Sequence, residues 1–175
     1  MGIKIKLKRI HHYIVGVIIL VLIVGGYVAW QPKPAPILTE EQIARQAIID
    51  EWYVPLEPMM IETIQLEASI ANTTETRTKG LSGTPSLPEG VVKLFVFDES
   101  QEWGFWMKDM KYAIDIIWVD ATGAIVHIEE KVTPASYPMS FLPNKPAKYV
   151  IETVSGFVED YGILVGDRVV LPEGV

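Results

Sequence analysis

The 175-residue chain contains no cysteine, which removes disulfides, thiolate nucleophiles and cysteine-ligated zinc together. Histidine is nearly as scarce, since His11 and His12 sit near the amino terminus and His127 alone falls in the body of the chain. One imidazole without a thiolate does not make the common zinc sites, so no metal and no other cofactor is expected. Acidic residues are missing from the first 30 positions; all 22 follow, against 11 of the 15 Lys and Arg, leaving that part with a formal charge of −11. Phosphate recognition draws on clustered cations, and the one cluster is Lys4, Lys6, Lys8 and Arg9. Nucleic acid is therefore not expected as a partner. Glycine-rich phosphate loops and the Ser-x-x-Lys pattern are absent, and Gly80-Leu81-Ser82-Gly83 is not a nucleophile elbow.

What is present first is an apolar run, Tyr13 to Trp30, without a single charge. Its 18 residues would cover roughly 27 Å as a helix, close to a hydrocarbon core of about 30 Å. The four cations before it, against Lys33 alone soon after, keep the amino terminus in the cytoplasm and put the rest of the chain outside. Tyr13, Tyr27 and Trp30 suit the two membrane interfaces. A cleaved signal peptide shares the basic-then-apolar layout, but the run exceeds the usual hydrophobic region of about 7 to 15 residues and lacks a small-residue cleavage site. Lipidation fails too, for want of cysteine and because Lys6 spoils the myristoylation pattern behind Gly2. The expectation is an uncleaved single-pass signal anchor in the cell membrane, with the lipid bilayer as a partner through residues 13–30 and a basic cytoplasmic tail at 1–12.

Pro32, Pro34 and Pro36 then favour an extended spacer. Thr39 with Gln42 fits a capping box, and Ile43, Ala44, Ala47, Ile48 and Trp52 recur at helical spacing. This short helix either packs on the domain, which is the default, or pairs with a second chain or lies on the membrane. Pro55 and Pro58 are read as closing the linker section, 31–58. From Ile61 the period becomes strand-like, with Ile64, Leu66, Ala68 and Ile70 on one face. Residues 73–79 form a short helix ended by Gly80, and residues 91–97 and 113–119 read as central strands, apolar on nearly both faces. Asp120-Ala121-Thr122-Gly123 turns the second of these into a hairpin with residues 124–130. A later strand at 149–153, a helical turn at 156–161 and a strand at 168–171 complete an extracytoplasmic domain, 59–175. The fold class is α+β, a twisted and largely antiparallel sheet or incomplete β-barrel with short helices.

Two charges stand inside the apolar, aromatic-rich stretch 104–119: Lys108 follows Phe105-Trp106-Met107, and Asp115 interrupts Ile114-Asp115-Ile116-Ile117. With Arg77 and Gly80-Leu81, Leu94-Phe95-Val96-Phe97, Tyr149-Val150-Ile151-Glu152, Gly156, Gly162-Ile163 and Gly166-Asp167, these elements resemble the prokaryotic domain of unknown function 192 family in order and spacing, over about residues 71–171. The resemblance implies a fold and no agreed chemistry. The chain departs from the pattern at Ser82, where methionine is usual, at Val92-Lys93 in place of Gly-Met, and at Met110 in place of threonine.

Trp106, Lys108, Asp115, Glu152 and Arg77 are the ligand-binding candidates. On one reading they form a polar site in an apolar cleft, with Trp106 as a stacking wall for a sugar or another flat ligand. On the other, a charge in a buried strand survives only when paired, so Asp115 ties a loop to the sheet through Lys108, Lys111 or Arg77. His127 alternates with apolar neighbours and is placed on a solvent face. Two functions follow: a non-catalytic module that binds a cell-envelope ligand or partner protein, or a hydrolase of envelope glycans using Asp115 and Glu152 as its two carboxylates.

Overall fold

The computed structural model describes Leu20 and residues 38–175. Apart from Leu20, the predicted anchor at 13–30, the tail before it and the proline-rich spacer lie outside the described residues. Among the described residues, no helix is long and apolar enough to cross a membrane. The compact unit runs from Thr39 to Val175.

Helix α1, Glu40–Trp52, begins with the capping box read from the sequence: the Gln42 amide donates to Thr39 Oγ1 at 3.2 Å and Thr39 N–H donates to Gln42 Oε1 at 2.9 Å. Glu40 and Glu41 in its first turn complement the positive end of the helix dipole. Its last turns are the buried part, with Ile49 3% exposed and Tyr53, just past the end, 1%, and Arg45 Nη2 ties the middle of the helix down by donating to the Glu89 carbonyl at 2.7 Å. The helix thus packs on the domain, which begins 20 residues before the boundary at 59 suggested by the prolines. Strand β1, Leu56–Ile61, even contains Pro58. That proline is tolerated because its cross-strand partner Glu67 sends its own N–H away, to the Gly90 carbonyl, so the pair exchanges no hydrogen bond.

After β1 come β2 (Ile64–Ala71), α2 (Thr74–Lys79), β3 (Val91–Gln101), β4 (Phe105–Trp106), β5 (Ile114–Val119), β6 (Ile125–Val132), a 3-10 turn (Pro134–Ser136), β7 (Ser140–Phe141), β8 (Ala147–Val154), α3 (Phe157–Tyr161) and β9 (Val169–Val170). Seven strands form one sheet in the order β6-β5-β8-β3-β2-β1-β9, antiparallel except for β2 against β3. A bridge between Ala124 and Arg168, flanked by the bonds Ile125 N–H to Asp167 O and Val169 N–H to Gly123 O, joins the two outer strands at one end. The sheet is therefore a partly closed barrel. At this seam Gly123 has φ +83°, and an added Cβ would stand 2.8 Å from the Val169 carbonyl oxygen, so both conformation and space require glycine.

Two apolar clusters lie on opposite faces. The barrel interior holds Leu66, Leu94, Ile117, Val119, Tyr149 and Ile151, capped by Phe157 and Val158 of α3. The outer face of β3, β5 and β8 carries Phe95, Phe97, Ile114, Ile116, Trp118 and Val150, and is covered by α1, the 81–88 segment and the 103–112 segment. Strands buried on both faces explain the near-continuous apolar runs.

Candidate functional site

Alternation along a strand decides which charges can meet. Asp115 pairs with Thr153 and Ile116 with Glu152 across β5 and β8, so Asp115 points into the barrel while Glu152 points to the outer face. The carboxylate pair required for glycan hydrolysis is not assembled, because a sheet separates its two members.

Asp115 is fully buried, and backbone amides take up its oxygens. Lys131 N–H donates to Oδ1 at 2.7 Å, Val158 N–H to Oδ2 at 3.0 Å, and Gly156 N–H lies 3.2 Å from Oδ1 and 3.1 Å from Oδ2. This corrects the expected pairing with Lys108, Lys111 or Arg77. Among the described residues no cation lies within ion-pair distance of Asp115, and the backbone amides of a bulge in β6 and of the start of α3 provide the hydrogen bonds instead. At that bulge three residue steps of β6 oppose two of β5, and Lys131 adopts φ +53°. Lys108 faces the other way, exposed, its ammonium 5.9 Å from the Trp106 ring centroid. Its carbonyl accepts from Ser82 Oγ at 2.8 Å, and the neighbouring Asp109 carbonyl accepts from Gly83 N–H at 3.0 Å, which clasps the 107–111 turn to the 82–84 segment.

On the outer face a polar row crosses the sheet: Ser69 of β2 is in register with Lys93 of β3, and Lys93 with Glu152 of β8. Lys93 Nζ donates to Ser69 Oγ at 3.1 Å. Burial pushes the Lys93 ammonium below the ordinary lysine range, with the Glu152 charge opposing. Glu152 is 5% exposed, and burial raises its carboxyl to about 8 in spite of Lys93. Its Oε2 is enclosed and has no hydrogen-bond partner. Beside this row, under α1, the Tyr53 hydroxyl donates to Ser86 O at 2.5 Å and the Thr84 and Tyr112 hydroxyls meet at 2.5 Å. Burial, with a smaller contribution from Glu152, raises the pKa of both phenols, so they serve as neutral hydrogen-bonding groups.

Glu152 forms part of the lining of a cleft of about 240 Å³ that opens between α2, β3 and the 103–110 segment. Its walls are aromatic: Phe97 and Trp103 stack with centroids 4.0 Å apart, while Phe105 meets Phe95 edge-on at 4.7 Å. Arg77 and Lys79 line it as well. The Arg77 guanidinium is fixed, with Nη1 donating to the carbonyls of Asn72 and Val96 at 2.9 and 2.7 Å and Cζ 5.2 Å from the Phe97 ring centroid. Gly80 ends α2 with φ +48° directly over the Phe95 ring. Trp106, 51% exposed, stands at the rim on the β4–β7 ribbon, its ring 6.1 Å from that of Tyr137.

The cleft therefore gathers Arg77, Trp106 and Glu152 and leaves out Lys108 and Asp115. Sequence reasoning overlooked Lys93, although a lysine between Val92 and Leu94 in a doubly buried strand is the same kind of signal as Asp115. His127 differs from expectation: as the cross-strand partner of Trp118 it packs on that indole, centroids 5.3 Å apart, with Nε2 3.1 Å from Glu129 Oε1.

The family profile of DUF192, described as "Uncharacterized ACR", matches residues 59–171. The chain belongs to the DUF192 family. Its fold is similar to that of a Sinorhizobium meliloti 1021 protein named a "putative transcription regulator", with TM-score 0.65 and 25% identity over 70% of this chain and 98% of the other. A protein of unknown function from Novosphingobium aromaticivorans DSM 12444 has TM-score 0.64 at 20% identity over 79% and 94% of the two chains. No curated protein matches. Within the DUF192 domain, Arg77, Gly80 and Leu81 line one side of the cleft and the Trp103–Trp106 stretch lines another.

Proposed function

We propose that this DUF192 domain is a non-catalytic binding module, tethered by residues 13–30 to the cell membrane and held outside the cytoplasm, whose ligand site is the aromatic cleft above Glu152. The observation that carries the reading is the Glu152 Oε2 atom, a buried polar oxygen with no partner. Such a group costs about 1–3 kcal/mol, and a small turn of the Glu152 side chain toward the cleft it lines lets a ligand hydrogen-bond to it and recover this. Aromatic walls around a few polar groups are the usual make-up of small-molecule sites. Catalysis has no comparable support, because among the described residues Glu152 is the only carboxylate lining the cleft. The name of the Sinorhizobium relative does not suit a chain whose part after residue 30 carries −11.

The site is tested by a thermal-shift screen of cell-envelope fragments against the wild type, Trp106→Ala and Glu152→Gln. A ligand that stabilises the wild type and not the two variants supports the reading; ligands whose effect survives both variants refute it. The tether is tested by reporters active only outside the cytoplasm. Fusion after Val175 works and fusion at Met1 fails if the orientation is right; the reverse pattern overturns it.

A further inference from the structure

Charge at the cleft narrows the ligand class. The part of the chain after residue 30 carries −11, yet among the described residues the charged ones lining the cleft are Arg77, Lys79 and the buried Glu152. Arg77 cannot swing away, since Nη1 is bonded to two carbonyls. Lys79 Nζ rests 5.4 Å from the Trp52 ring centroid. The mouth is thus a cationic concavity on an acidic body, where low-dielectric walls focus the field on an incoming anion. A cationic ligand would be repelled there, and the Glu152 carboxyl at the floor already has Lys93 as its cross-strand neighbour.

Size and shape add two restrictions. A dry cavity of about 150 Å³ accommodates benzene, so about 240 Å³ holds one substituted six-membered ring. The Trp103 and Trp106 indoles offer flat faces for that ring, and Glu152, which lines the cleft and has an oxygen without a partner, offers its carboxyl to a hydroxyl. Resting on the binding-module reading above, we propose that the cleft takes a hydroxylated organic acid of monosaccharide size, its ring against Trp103 and Trp106, its anionic group at Arg77 and Lys79, and a hydroxyl at Glu152. Two sources share this chemistry, a carboxylated sugar and a hydroxylated aromatic acid.

The test is calorimetric titration of the full chain in a neutral detergent at low salt with D-glucuronate, 4-hydroxybenzoate, D-glucose and D-glucosamine. One of the two acids is expected to bind at least tenfold more tightly than glucose and glucosamine, and which acid does so identifies the source. Lys79→Gln, which alters an exposed side chain, should weaken the acid severalfold and leave glucose unchanged, and added salt should weaken the acid in the same way. Glucose binding as tightly as glucuronate, or glucosamine binding tightest, overturns the anionic assignment while the binding-module reading stands. Failure of all four to bind overturns it as well; should the fragment screen also yield nothing sensitive to Glu152→Gln, the binding-module reading falls with it.

Discussion

Asp115→Asn isolates the role of the charge that the sequence makes most conspicuous. Three backbone N–H groups, from Lys131, Gly156 and Val158, converge on the carboxylate over 2.7 to 3.2 Å. Asparagine keeps one acceptor oxygen and turns the other position into a donor, which then faces an N–H. A hydrogen bond to a buried charge contributes about 1.5–3 kcal/mol, and an amide left without an acceptor costs about 1–3 kcal/mol. Losing one of each puts the expected destabilisation at about 3–5 kcal/mol, or a drop in Tm on the order of 10 °C for a domain of this size. Denaturant unfolding followed by tryptophan fluorescence gives the midpoint, with Lys108→Met as the companion. Lys108 is exposed and bonds through its carbonyl alone, so that variant stays within about 0.5 kcal/mol of wild type. An Asp115→Asn midpoint equal to the parent's would refute the view that this carboxylate staples the β6 bulge and α3 to the barrel.

Glu152 titrates high in the fold, at about 8, against about 4.3 in an unfolded chain. The folded state therefore holds the extra proton between these values, and wild-type stability falls as pH rises across that window, whereas Glu152→Gln flattens the fall; parallel pH profiles would contradict it. Ile49→Ala empties a buried position beneath α1 and costs about 2–5 kcal/mol, and a chain beginning at residue 59 fails to fold while one beginning at 39 unfolds cooperatively, as circular dichroism melts would show. Trp106→Ala, at an exposed rim position, shifts stability by less than about 1 kcal/mol yet abolishes ligand-induced thermal shifts.

Much of the architecture follows from local rules that the chain states openly. Thr39 and Gln42 signal a helix start, Asp120 to Gly123 a hairpin, and the unbroken apolar strands a sheet covered on both faces. The start of the domain was not legible because Pro55 and Pro58 read as breakers, and only the pairing of Pro58 opposite Glu67 shows why a proline fits there. The site was half legible. Arg77, Trp106 and Glu152 stand out by type, but Asp115 and Glu152 look equally available until the β5–β8 register assigns them to opposite faces. No spacing in the sequence announces that Trp103 stacks on Phe97, or that Glu152 Oε2 is left without a partner, since both depend on how the 103–112 segment folds back over the sheet.

The central claim is that the cleft over Glu152 binds a ligand, and the most direct measurement is NMR of the tryptophan indole and cleft-methyl signals during titration with the best compound from the screen. Saturable shifts at Trp103, Trp106, Leu81 and Met110 that vanish in Glu152→Gln are the predicted result. Shifts confined to residues 161–170, none of which lines the cleft, with the cleft signals unmoved, would contradict it.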